Sequence, residues 1–473
     1  MKKKRKPPLF CPNWLLERIR RDSSFVRIKN NLTEKEIRDL KEKKIKGVYL
    51  GREVKRIYPH NSLASQVVGF VGGDGIGQYG LEGFYNQILE GEKGFRKKTR
   101  VFRESPFINP GKRGSDLFLT LDYNIQFKAE RLLVQANNSL DFERGTILVI
   151  CPRSGKIIAL ANFPNFNPNQ YEQENDFKIF KNSAVQRIFE PGSVLKPITM
   201  AAALEEQKIT PQTTYIDEGK VRIGGHIIRN YGRRVWGERT MTEVLDRSIN
   251  TGAVFVQKEL GNQKFLEYLE KFGFFKKTEI DLQGEVFSKN REFKRGYEIN
   301  FATASFGQGI EMTPIQLARA FLVIANNGRL VRPYLVEKIK NADGEIIKTS
   351  PHEPQPVDEN RVISAKTASQ LTTMMVSSVE KGWARRAKIP GYYLAGKTGT
   401  AQVPWAALGV EKRGYSDKTV QSFVGFGPAF NPQFLILITL DNPKTRTAEY
   451  SAVPLFRELA SHIIGYYQIP PDY

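Results

Sequence analysis

The sequence predicts an α+β protein, and three observations carry that prediction. Apolar runs joined by turn residues, the pattern of β-hairpins, occur at 146–161 and again at 423–440. Stretches with helical apolar spacing fill the interval between them. A last helical stretch, 452–466, follows the second hairpin. Strands at both ends with helices between imply one large domain over 145–466, whose sheet is completed by its own terminal strands.

The chain has 473 residues and a formal net charge of +22. Residues 1–56 hold 19 Lys/Arg against 7 Asp/Glu, a net +12, and read as a basic lead-in. Such a segment suits anionic headgroups or acidic polymers. No nucleic-acid motif with interleaved aromatics accompanies it. Within it, Thr33 with Glu36 forms a capping-box pattern at the start of a helix over 32–46. No apolar run approaches the roughly 18–20 residues that span a bilayer. No signal-peptide core follows the basic start, so the chain as written reads as a soluble one. Cys11 and Cys151 are far apart and read as free thiols. His60, His226, His352 and His462 are scattered, and no H-E-x-x-H occurs.

Residues 57–115 change character. Gly69, Gly72, Gly73, Gly75, Gly77, Gly80 and Gly83 alternate with short apolar pairs, which suggests a small turn-rich module. Residues 116–144 read as a connecting segment: a short strand at 117–120, then an amphipathic helix. The first hairpin pairs 146–151 with 156–161 across Pro152-Arg153-Ser154-Gly155. Helical patterns then run over 193–207, 241–260, 313–326 and 365–379. The second hairpin pairs 423–427 with 434–440 around Asn431-Pro432.

Three short motifs lie on this frame. The first is Ser193-Val194-Leu195-Lys196, after Glu190-Pro191-Gly192. Pro and Gly before an apolar-periodic run mark a helix start, where the dipole favours developing negative charge. Lys196, three residues on, shares a face with Ser193. A serine hydroxyl needs a base to become nucleophilic, and a lysine serves if burial lowers its pKa. The second is Ser248-Ile249-Asn250, inside a helical pattern. Ser and Asn are poor helix-interior residues, so a broken helix is expected, with both side chains aimed into a cleft. They could relay a proton and hold a substrate amide. The third is Lys397-Thr398-Gly399-Thr400, on an expected strand. A peptide could add along it. Lys397, Thr398 and Thr400 would hold a terminal carboxylate, and the N–H groups of Thr400 and Ser193 would form an oxyanion hole. Gly391 to Thr398 also fits G-x-x-x-x-G-K-[ST]. Two tyrosines fill that loop and no helix pattern follows, which argues against a phosphate-binding loop.

Each motif also has an ordinary structural reading, but the three in this order constitute a known signature. With them the chain resembles a class B penicillin-binding protein, most like the division-type branch, over about residues 57–465. Tyr58-Pro59, Gly69-Phe70-Val71-Gly72, Gly80-Leu81-Glu82, Asn165 to Asn169 and Phe306-Gly307-Gln308-Gly309 support the resemblance. It implies a transpeptidase domain with a mostly antiparallel central sheet flanked by helices, and makes 57–115 part of a pedestal, or dimerisation, module. It also implies a serine D,D-transpeptidase that cross-links peptidoglycan stem peptides through an acyl-enzyme on Ser193, with Lys196 as base. Beta-lactams would be trapped there. No metal or organic cofactor is implied. Expected partners are stem peptides or their lipid-linked precursor, a membrane glycosyltransferase and division proteins. The expected location is the extracytoplasmic face of the bacterial plasma membrane. The family's cytoplasmic tail, membrane helix and early pedestal segment are not visible here. A D,D-carboxypeptidase or beta-lactamase-like hydrolase, in which water replaces the amine acceptor, is the alternative enzyme. A beta-lactam sensor or scaffold is the alternative without turnover.

Overall fold

The computed structural model describes residues 26, 28–29, 32–50, 55–92, 95–96, 107–109, 112–349 and 360–473. Cys11, His352 and the basic start at Met1 lie outside them. The chain divides into two units, Met1–Arg56 and Ile57–Tyr473. In the first, a helix spans Glu34–Lys43. Thr33 and Glu36 form the expected capping box, which satisfies two backbone donors of the first turn.

The second unit is built on five strands: β1 (Arg144–Ile150), β2 (Ile157–Phe163), β3 (Ala395–Pro404), β4 (Tyr415–Gly427) and β5 (Phe434–Asp441). They lie in the order β3-β4-β5-β1-β2, every neighbouring pair antiparallel. The two expected hairpins therefore become adjacent halves of one sheet, joined where β5 pairs with β1 in register Leu437↔Leu148. The second hairpin is longer than the sequence suggested. Its first strand begins at Tyr415, where polar residues interrupt the apolar run, among them Asp417 and Thr419, which line the cleft described below.

Period-two alternation buries both faces of this sheet. Ile147, Val149, Ile436 and Ile438 point to one side. Helices α1 (Tyr123–Leu140) and α7 (Ala452–Tyr466) cover that side with Leu132, Leu133, Phe456 and Leu459. Leu148, Ile150, Leu435 and Leu437 point to the other side. There they join α2 (Lys196–Glu205), α4 (Asn250–Leu260), α5 (Pro314–Ala325) and α6 (Ala365–Lys381) in one continuous core. A short helix, α3 (Met241–Asp246), precedes α4. Side-chain oxygens cap the start of several of these helices. Asp122 caps α1, Thr313 with Gln316 boxes α5 before Pro314, and Ser364 caps α6.

The connecting segment 116–144 packs on this body. Asp116–Leu119 pairs with Val336–Lys340, and the Thr120 hydroxyl donates to the Ile157 carbonyl at 2.7 Å. Residues 57–92 also pack on it. The Tyr58 N–H donates to Asn169 Oδ1, and Asn169 Nδ2 donates back to the Tyr58 carbonyl. Phe70 stacks on Tyr171 and meets Phe166 and Phe180 edge-on. The segments around Tyr58, Phe70 and Asn165–Asn169 thus make one aromatic joint.

Candidate active site

Ser193 does not sit inside a helix that starts with it, as the periodicity over 193–207 suggested. Gly192–Leu195 is a 3-10 turn, and α2 begins at Lys196. The cause is Pro197. Its ring would clash with the Ser193 carbonyl in a continuous α-helix, whereas proline is tolerated in a first turn. The turn is wedged from two sides. The Gly192 N–H donates to the Gly307 carbonyl at 2.9 Å, and a Cβ on Gly307 would stand 2.1 Å from the Gly192 carbonyl oxygen. A Cβ on Gly399 would stand 2.9 Å from Val194 Cγ1. Backbone replaces side chain at both points so that the turn can press against β3.

Lys196 is 0% exposed and Lys397 is 1% exposed. Lys196 Nζ reaches the Ser248 carbonyl at 2.6 Å, Ser248 Oγ at 3.2 Å and Asn250 Oδ1 at 2.8 Å. Lys397 Nζ reaches the same Ser248 Oγ at 3.1 Å and the Thr398 carbonyl at 3.1 Å. All these partners are neutral oxygens. Burial, with the nearby charge of Lys397, holds Lys196 well below the usual lysine range. Burial brings Lys397 down to about 7 against the opposing pull of Asp246. Burial also pushes the Asp246 carboxyl up to about 6. A neutral Lys196 amine keeps a lone pair that can take a proton, and the Ser248 hydroxyl can pass a proton between the two amines.

The expected break in the second motif is present. α3 ends at Asp246, α4 begins at Asn250, and Ser248 between them has φ +54. A non-glycine residue in the left-handed region carries a conformational cost, which the surrounding contacts must hold in place. A buried network does so. Asn230 Oδ1 accepts from the backbone N–H groups of Asn250 and Thr251 at 3.0 and 3.1 Å. Asp217 takes hydrogen bonds from Thr251 Oγ1 at 2.6 Å, from Asn230 Nδ2 and from the N–H groups of Gly219 and Trp236. Neither Asp217 nor Asn230 was legible as a functional residue, because Asp217-Glu218-Gly219 looks like any surface turn.

Lys397, Thr398, Gly399 and Thr400 lie on β3, an edge strand, opposite Val424, Phe423, Ser422 and Gln421 of β4. The Gly391–Thr398 match to a phosphate-loop pattern leads into this strand and not into a helix. Thr400 Oγ1 accepts from the Ala448 N–H at 3.2 Å. Gln421 holds the loop that brings Ala448 there, donating to the Thr445 carbonyl and accepting from Thr445 Oγ1 and Ser451 Oγ.

Ser193, Ser248, Asn250, Thr398 and Thr400 all line one cleft of about 680 Å³. The two lysines lie buried beneath it and Gly399 packs behind it. The eight residues singled out in the sequence therefore converge, although some 200 positions separate the first from the last. Glu190 was not singled out. It is half-buried beside the Ser193 turn, accepts from the Tyr415 hydroxyl at 3.0 Å, and has its carboxyl pushed up to about 7 by burial.

The chain is similar to known proteins in sequence and in fold. The penicillin binding protein transpeptidase domain matches residues 145–461, and the penicillin-binding protein dimerisation domain matches residues 12–118. Stage V sporulation protein D of Bacillus subtilis is 34% identical over 87% of this chain. The chain spans 64% of that relative's length. A peptidoglycan D,D-transpeptidase FtsI homolog of Mesostigma viride is 31% identical over 91% of this chain and 76% of its own length. The crystal structure of penicillin binding protein 3 from Mycobacterium tuberculosis aligns with TM-score 0.77 and 30% identity, covering 88% of this chain and 92% of that one. The matched domains, these relatives and the shared fold all lead to one assignment: this chain belongs to the penicillin-binding protein family.

Proposed function

We propose that the chain is a serine D,D-transpeptidase that cross-links peptidoglycan stem peptides. The observation that carries this reading is the Ser248 hydroxyl held between two buried lysines, beneath the cleft that Ser193 lines. In this scheme Lys196, as the free amine, takes the Ser193 proton while Oγ attacks the penultimate D-Ala carbonyl. The N–H groups of Ser193 and Thr400 stabilise the oxyanion. The C–N bond breaks and the terminal D-Ala leaves as its amine, protonated through Ser248. An amine of a second stem then attacks the ester, forms the cross-link and returns a proton to Ser193. Asn250 holds the substrate amide, and Lys397, Thr398 and Thr400 hold its terminal carboxylate. The scheme requires no metal or organic cofactor.

Relatives named D,D-transpeptidases support this reading over hydrolysis, and the structural neighbour was solved complexed with aztreonam. The same reading makes 57–115 a pedestal module and 1–56 a basic lead-in with part of that pedestal. It places the catalytic domain on the extracytoplasmic face of a bacterial plasma membrane, beside a glycosyltransferase and division proteins. Among the described residues, no helix is long and apolar enough to cross a membrane.

The test is incubation with a fluorescent penicillin, read by denaturing gel and intact mass. One adduct that persists for many minutes and is lost in Ser193→Ala supports the proposal. An adduct that turns over rapidly favours the hydrolase. No adduct on the folded chain refutes acyl-enzyme chemistry here.

The lysine pair also sets an expected pH profile. Acylation needs Lys196 neutral and Lys397 charged, so the rate should rise through the lowered pKa of Lys196 and fall as Lys397 deprotonates near pH 7. The ionised Asp246 carboxylate stabilises charged Lys397. Asp246→Asn should therefore move the alkaline limb to lower pH. An unmoved limb would assign it to another group.

A further inference from the structure

One wall of the cleft is not used by the scheme above. It carries Arg229, Arg234 and Arg247, with Trp236 and Trp383. The Arg234 guanidinium lies 5.7 Å from the Trp236 ring and 5.1 Å from the Trp383 ring, and Arg247 lies 5.6 Å from Trp236. Two like charges thus share one indole. Among the described residues, no carboxylate comes within ion-pair distance of any of the three arginines. Cation–π contact orients a guanidinium without neutralising it. The scaffold beneath is rigid: Trp236 N–H donates to buried Asp217, the Arg234 carbonyl accepts from Asn230, and Trp383 Nε1 donates to the Arg247 carbonyl. The acidic groups of the cleft, Asp417 and Glu449, belong to β4 and to the 448–450 turn, and Glu449 already faces Arg385 and Arg386.

Resting on the transpeptidase reading, we propose that this arginine–tryptophan wall is a subsite for a carboxylate on a stem peptide, separate from the terminal carboxylate. Two planar guanidinium groups, neither in an ion pair although Asp246 feels the charge of Arg247, are held on aromatic faces at the mouth of a peptide cleft and match a carboxylate in charge and geometry. The stem that forms the acyl-enzyme and the stem that accepts it can both present such a group.

The test uses two synthetic stem peptides ending in D-Ala-D-Ala. They differ only in whether the side-chain carboxylate of the third-position diamino acid is free or amidated. In the donor arm, each competes with fluorescent penicillin for Ser193. In the acceptor arm, each is offered as the amine to a preformed acyl-enzyme. In one arm the free carboxylate should be preferred about tenfold, the worth of one charge-assisted hydrogen bond at a partly exposed site. Arg234→Ala should bring that preference close to one, and Arg234→Glu should reverse it. Arg247→Ala, also on an exposed residue, should weaken it by several fold. The arm that responds identifies the stem. Equal use of both peptides by the unaltered chain in both arms would overturn the subsite, and so would a preference that survives Arg234→Glu. Penicillin labelling of the unaltered chain, read in the same samples, tests the transpeptidase reading separately.

Discussion

Penicillin acylation of Lys196→Met should fall by roughly 10²–10⁴, the usual worth of a positioned general base. The protein should stay folded. Lys196 is wholly buried without a counter-charge, and methionine fills nearly the same volume without a group to desolvate. The Ser248 carbonyl and Asn250 Oδ1 lose a donor, which offsets part of that gain. Urea unfolding with an unchanged midpoint, together with the collapsed rate measured by stopped-flow or gel, would locate the defect in chemistry. Acylation within a few fold of the unaltered chain would remove Lys196 from the proton transfer and leave Lys397, through Ser248, as the candidate base.

Asp217→Ala should lower stability by about 3 kcal/mol and also slow acylation. The side chain is 2% exposed and accepts from Thr251, Asn230, Gly219 and Trp236. Removing it leaves several buried donors without an acceptor. Asn230 is then free to turn, and its carbonyl oxygen fixes the N-terminus of α4, where Asn250 sits. Asp217→Asn keeps the shape and should recover most of the stability. Denaturant curves and acylation rates on the two variants check this. A normal acylation rate in Asp217→Ala would show that Ser248 and Asn250 hold their places without the network.

Local features were legible from residues alone because their causes are local. The Thr33–Glu36 cap, the continuous apolar runs of β1 and β5, and the closing helix all depend on neighbours within a turn or a strand. The three motifs were equally legible, because the chemistry they serve demands particular side chains at short spacing. Where a local rule had a competitor, the competitor won. Pro197 delays α2 past Ser193, and the polar residues at the start of β4 hide its length.

Residues alone identified the two hairpins, the principal helices and the reactive groups, but not the helices Asn262–Lys271 and Glu298–Ala304 or the strand Val336–Lys340. Tertiary structure alone decided how those groups meet. Ser248 lies between Lys196 and Lys397 only because α2, the break between α3 and α4, and β3 converge from positions far apart in the chain. The lowered lysine pKa values, the Asp217 network and the arginine–tryptophan wall follow from burial and proximity between residues distant in the chain. Dehydration and Coulomb interaction depend on separation in space, and separation along the sequence does not fix it.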